Sequence, residues 1–333
     1  MNGTGGNVTA VAGTFNVTSK VSGASGINYS GFSVGTVTGA GGGATITGSG
    51  LTYTLTNATP NAGTSAGVTW SGFPNISDAT GTLIMQTSGS ITGNVTAQTT
   101  NYSGYGSALT FSLSGAAGTS TGIGGTRSGV TNVTGSGNAD TISGSGATYN
   151  LTTQNAGNSG ALSWTSFENI ADPAGGTFNL SVAANNVSGT ISSGGMGATL
   201  NSSGDISALN VSVPGTLTMT GTANSWNFTG SPQPTLFQTT NANANVYFNG
   251  SCIGGPACGT VITIVGSIGS TVSQIASQAL KDAQSTDSVA KQIDYGFAGD
   301  VGTTPPMDHR IDETGISTPD CLEESRESRP CKN

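Results

Sequence analysis

Charge is what this chain lacks. Residues 1–264 hold two basic side chains, Lys20 and Arg127, and five acidic ones, Asp78, Asp140, Glu168, Asp172 and Asp205. Charged residues make up 7% of the 333, against about 25% in an ordinary soluble domain, and the single histidine is His309. Such scarcity argues against an enzyme. Glycosidase-type chemistry needs carboxylates within reach of each other, and five scattered acids do not supply a pair. A formal net charge of −8 argues against nucleic acid, which requires a basic stripe. No apolar run approaches about 20 residues, so nothing reads as a membrane-spanning helix. No cofactor or metal site is implied: Gly135-Ser136-Gly137-Asn138-Ala139-Asp140 is a lone, degenerate echo of the tandem calcium-binding repeat. Met1-Asn2-Gly3-Thr4 has no basic n-region or apolar h-region, so no signal peptide is expected and the sequence reads as a piece of a longer chain.

In place of charge there are 54 glycines and a surplus of Ser, Thr, Asn, Ala and Val. β-Branched residues alternate with polar ones, as in Thr45-Ile46-Thr47, Leu51-Thr52-Tyr53-Thr54-Leu55 and Leu209-Asn210-Val211-Ser212-Val213. That period of two predicts short strands, with the Gly/Asn/Ser clusters between them as turns. The body also repeats. Tyr53-Thr54-Leu55-Thr56, Asn61-Ala62-Gly63 and Gly67-Val68-Thr69-Trp70-Ser71-Gly72-Phe73-Pro74-Asn75-Ile76 return as Tyr149-Asn150-Leu151-Thr152, Asn155-Ala156-Gly157 and Gly160-Ala161-Leu162-Ser163-Trp164-Thr165-Ser166-Phe167-Glu168-Asn169-Ile170. Trp70 to Trp164 is 94 positions and Tyr53 to Tyr149 is 96. Tyr29 and Phe32 form a weaker, earlier echo. A unit so long and so poor in large apolar residues is best explained by stacking. Rungs of roughly 20–30 residues bury their inward faces on their neighbours, which makes the repeat about four rungs. Tyr29, Phe32, Trp70, Phe73, Trp164 and Phe167 are then expected as interior aromatics recurring on one side, the rival reading being a glycan-stacking surface.

The W-(S/T)-x-F-x-N-I punctuation, spread over about residues 26–230, resembles the large exoproteins of bacterial two-partner secretion, the filamentous-haemagglutinin and high-molecular-weight adhesin class. The resemblance implies a right-handed parallel β-helix, exported through an outer-membrane transporter and displayed on the cell or released. It also implies an adhesive role toward a host or neighbouring-cell surface, with glycan among the targets.

The other six Lys/Arg and eleven Asp/Glu sit in the last 69 residues, so the expected division is a solenoid at 1–264, a helical cap at 265–295 and a charged tail at 296–333. Val272, Ile275, Ala276, Ala279 and Leu280 lie on one helical face, which suits a cap over an open solenoid end. Four cysteines form two close pairs, Cys252/Cys258 and Cys321/Cys331, expected as disulfides; their spacings and the lone histidine fit zinc poorly. The second pair resembles the C-terminal cysteine pair of high-molecular-weight adhesins, which implies a closed loop that holds the exoprotein in its transporter, against the reading of a simple terminal staple. Asn57, Asn75, Asn94, Asn132, Asn179, Asn210 and Asn227 head Asn-x-Ser/Thr sequons, candidates for glycosylation or simply corners of strands. The expected function is a structural adhesin stalk. Its rivals are an ice-binding or glycan-binding solenoid, the former suggested by Thr-x-Thr elements that recur irregularly along the sequence, and a β-helix enzyme that degrades polysaccharide.

Overall fold

The computed structural model describes residues 3–264 apart from 12, 24–27, 29–31, 57–58, 181–186 and 260–261. The expected cap, the charged tail with Cys321 and Cys331, Tyr29 and Asn57 lie outside the described residues. Among those described, every element is a strand except the 3-10 turn Pro256–Cys258. The fold is a parallel β-solenoid with two walls around one core. One wall is a sixteen-stranded sheet; the other is built from a six-stranded and an eight-stranded sheet.

The chain alternates between walls. Strands Thr177–Leu180, Ala198–Ser202 and Thr216–Gly221 belong to the long sheet, and Thr190–Ser193, Ile206–Ser212 and Ser225–Thr229 to the opposite one. Successive strands of a wall pair in parallel and in register, so that Thr177, Thr199 and Thr218 align, as do Phe178, Leu200 and Met219. Side-chain hydrogen bonds between rungs join residues 17 to 33 apart in sequence. The alternation explains the walls: in Thr216–Gly221, Leu217 and Met219 are buried, while Thr216, Thr218 and Thr220 are half-exposed. The interior is one continuous apolar cluster from Val8 to Ile262.

Parallel stacking gives way to antiparallel pairing between Thr14–Asn16 and Val21–Ser22, between Asn245–Phe248 and Ser251–Gly254, and where the sequence repeats. Thr52–Leu55, Gly63–Ser65 and Val68–Ser71 form a three-stranded antiparallel meander inside the long sheet, and Thr148–Thr153, Ala156–Ser159 and Leu162–Thr165 form its counterpart. The chain runs ahead and then steps back. Val68–Ser71 pairs with the preceding strand Phe32–Gly39, and Thr52–Leu55 with the following strand Thr82–Thr87. Between the two meanders the long sheet contains Thr82–Thr87, Thr99–Tyr105 and Asn132–Thr134, which places the second meander four rungs after the first.

Sequence alone does not separate a meander from three stacked strands, because both alternate with period two. The distinguishing residues are Asn61-Ala62-Gly63 and Asn155-Ala156-Gly157. Asn61 and Asn155 take left-handed φ values of 62° and 58°, which Asn tolerates better than most residues. The glycines admit the indoles. A Cβ on Gly63 or Gly157 would sit 2.7 Å from Cζ2 of Trp70 or Trp164, and closer still to the carbonyl oxygen of Thr54 or Asn150.

Candidate functional site

The two repeats assemble the same buried constellation. Asp78 is 2% exposed and accepts backbone N–H bonds from Gly50 (3.0 Å), Leu51 (2.9 Å) and Thr80 (3.2 Å), with the Tyr53 hydroxyl donating at 3.2 Å. Asp172, fully buried, accepts from Gly146 (2.7 Å), Ala147 (2.8 Å) and Ala174 (3.2 Å), with the Tyr149 hydroxyl at 3.0 Å. Burial works to raise the carboxyl pKa of Asp78, but the bonds from Leu51, Gly50, Thr80 and Tyr53 outweigh it and hold the group below its ordinary value. Burial, and then the neighbouring carboxylate, pushes the phenols of Tyr53 and Tyr149 well above the usual tyrosine range. Each pair is an acceptor-only carboxylate facing a corner's unpaired N–H groups, with tyrosine sealing the inward side.

The remaining acids are engaged in the same way. Asp140, fully buried, accepts from Leu109 N–H (3.0 Å), Ser136 N–H and the Ser136 hydroxyl (2.9 Å). Glu168 accepts from the Asp140 N–H at 2.9 Å and from the Asn155 side chain at 3.2 Å. Asp205 accepts from Asn224 (2.7 Å) and Ser225 (2.9 Å) of the next rung. All five carboxylates of the body therefore join one rung to another. Arg127 marks the break in the second wall. Thr110–Ser112 pairs forward with Thr141–Ser143, and Arg127–Ser128 pairs backward with Val95–Thr96. Its guanidinium lies 3.8 Å above the Phe111 ring and donates to the Ser112 carbonyl, and burial brings its pKa down to about 10.

Trp70, Phe73, Trp164 and Phe167 all point into the core, at 0%, 0%, 2% and 0% exposure, so none offers a platform to a glycan. Trp164 shares its column with Val133, Thr100, Leu83 and Tyr53. Trp70, in register with Val37 and Gly63, stands one inward position along. Phe32 begins strand Phe32–Gly39. The closest ring stacking between rungs joins Tyr149 to Phe178, with centroids 4.9 Å apart.

The sequon asparagines form bridges between rungs. Asn75 donates to the Ala44 carbonyl (3.2 Å) and accepts from the Asn94 N–H (2.8 Å), and Asn94 accepts from the Thr126 N–H (2.9 Å). Asn179 donates to Asn150 (2.7 Å), Asn210 to the Thr190 hydroxyl (3.0 Å) and Asn227 to the Ile206 carbonyl (3.1 Å). In the six of these sequons whose middle residue is described, that residue is the buried one, as with Ile76, Val133 and Phe228. The motif therefore follows from strand alternation. Asn132 differs: it is exposed and its amide reaches only the adjacent Thr131 hydroxyl, 3.0 Å away. Cys252 and Cys258 form a disulfide with Cα atoms 5.7 Å apart, closing the turn around Pro256–Cys258.

Among the described residues no group of three or more His, Cys, Asp or Glu could hold a metal, and no helix is long and apolar enough to cross a membrane. One open groove, bordered by Ile91, Thr110, Thr121 and Ile123, has a volume of about 510 Å³ and carries no ionisable side chain. Sequence reasoning missed the Tyr–Asp pairs. The signal was present, a Tyr followed by an Asp just beyond the W-x-x-F-x-N-I segment in each repeat. No family model, no curated protein and no solved structure matches this chain.

Proposed function

We propose that this chain is a structural stalk of a bacterial adhesin, secreted or displayed at the cell surface by two-partner secretion. The observation that carries the reading is the commitment of all five body carboxylates to rung-to-rung hydrogen bonds. It leaves a long, sparsely charged, self-supporting rod in which no carboxylate of the described residues is free for acid–base chemistry. The W-x-x-F-x-N-I resemblance supplies the export route, through an outer-membrane transporter, and the adhesive class. A solenoid suits such export because its rungs fold by adding to a neighbour and do not wait for distant segments.

In this reading the loop closed by Cys321 and Cys331 holds the rod at the outer membrane, since a closed, charged loop is bulkier than an extended chain. Co-expression with a candidate transporter tests it. Replacing Cys321 or Cys331 with Ser should move the protein from the cell surface to the medium. Transporter-independent appearance outside the cell, or an unchanged surface fraction in both variants, overturns the respective part.

A further inference from the structure

Pairing register brings together what sequence order scatters. Along the sequence, Thr-x-Thr recurs irregularly. On the long sheet, the outward positions of four successive parallel strands read Thr148 and Asn150, Thr177 and Asn179, Thr199 and Asn201, Thr218 and Thr220. They make two straight columns, one of threonine throughout and one of Asn ending in Thr. Every inward neighbour, from Tyr149 through Phe178 and Leu200 to Met219, is buried. Adjacent strands lie about 4.8 Å apart and alternate residues about 6.7 Å apart, so hydroxyls, methyls and amides repeat on a regular grid.

Three properties of this face bear on its partner. It carries no charged side chain, so attraction between opposite charges selects nothing, and a neutral partner matches it. It is stiff. Threonine has few χ1 rotamers, and the amides are already pinned, Asn179 to Asn150 at 2.7 Å and Asn201 to Asn179 at 3.2 Å. Ladders of this kind also favour flat sheets over twisted ones. Finally, no aromatic side chain of these strands points outward, so the stacking platform that a polysaccharide would use is absent.

We infer that this Thr/Asn face binds ice. Ice is neutral, offers a donor and an acceptor at every oxygen, and repeats in two dimensions, which are the properties the face presents. The methyl groups exclude disordered water while the hydroxyls and amides join the lattice. The inference goes beyond the stalk reading and does not depend on its export route, because the purified chain suffices to test it.

The test grows a single ice crystal slowly from a solution of the full chain and measures the fraction of protein incorporated, with thermal hysteresis recorded in parallel. Wild type should be enriched in the ice several-fold over a non-binding control protein. Thr177→Lys and Thr199→Lys, which place a charge on the grid without touching the core, should each abolish enrichment. Thr229→Lys, exposed on the opposite wall, should retain it. Unchanged melting curves show that all three variants fold. Absence of wild-type enrichment overturns the inference, and so does equal loss in all three variants. If gel filtration shows that wild type is a dimer which Thr199→Lys converts to monomer, the face is a contact between copies and the inference is also overturned.

Discussion

Replacing Asp172 with Ala removes one buried acceptor that serves four donors. The carboxylate is fully buried and accepts three backbone N–H bonds and one tyrosine hydroxyl. Alanine supplies no acceptor, so Gly146, Ala147, Ala174 and Tyr149 lose theirs together. An unsatisfied buried donor costs about 1–3 kcal/mol, but a corner opened by the shorter side chain admits water to some of these groups. The expected loss is therefore about 3–4 kcal/mol, near the upper end for single substitutions. Tyr149→Phe removes one bond and leaves the carboxylate its backbone donors, so it should cost only about 1 kcal/mol. A solenoid unfolds in segments, which makes a single global midpoint a poor measure. Amide hydrogen exchange resolves the rung. Protection at Gly146, Ala147 and Ala174 should fall by about two to three orders of magnitude in Asp172→Ala, while amides of the strand Asn245–Phe248 stay unchanged. Equal losses in the two variants, or protection lost evenly along the chain, would refute the view that the carboxylate organises its own corner.

Gly157→Ala should destabilise by about 2 kcal/mol or more, because its Cβ meets the Trp164 indole and the Asn150 carbonyl; a shift in Trp164 fluorescence accompanying a lower denaturation midpoint checks this. Stability should be level between about pH 4 and pH 10 and fall on both sides. The folded pKa of Asp78 is depressed, so its contribution is present above the unfolded carboxylate value and is lost as pH falls through the folded one. The phenols of Tyr53 and Tyr149 are raised, so theirs is present below the unfolded tyrosine value and is lost as pH rises beyond it. Urea midpoints across pH measure the window, and Tyr53→Phe with Tyr149→Phe should flatten its alkaline side. In cells that attach glycans to sequons, mass spectrometry should find Asn132 occupied ahead of Asn75, Asn179 and Asn227, whose amides are held between rungs.

The solenoid was legible in the sequence because its cause is local. Alternation such as Thr45-Ile46-Thr47 writes a strand with one wet face wherever it occurs, and a repeat that returns after about four rungs says that strands stack. The Cys252–Cys258 pair was legible for a similar reason, a short spacing at a turn. The meanders were not, because strand direction leaves no mark on a period of two. What records them is a demand of tertiary origin: Asn61 and Asn155 must turn left-handed, and Gly63 and Gly157 must lie beneath an indole. The Tyr–Asp pairs escaped for a related reason. Tyr53 and Asp78 are 25 residues apart, and nothing local says that one rung's corner will sit on the other's phenol.

The outward face shows the same limit from the other side. Thr177, Thr199 and Thr218 are separated by unequal stretches of chain, because the corners between rungs differ in length, and a count along the sequence finds no rhythm in them. Hydrogen bonding removes the irregularity: pairing in register sets the columns by strand position and leaves the corner lengths out. A regular surface can therefore be encoded by an irregular sequence, provided each rung sets an inward residue at the same register position. Here that residue is large and buried in every rung, Phe178, Leu200 and then Met219, so the core fixes the register that the surface displays. Substitutions that slip one of these inward residues by a position would move polar groups inside and disrupt both columns at once. Core packing and the outward grid are thus a single property of the fold, and a variant that loses the grid while keeping its melting curve must act on outward side chains alone.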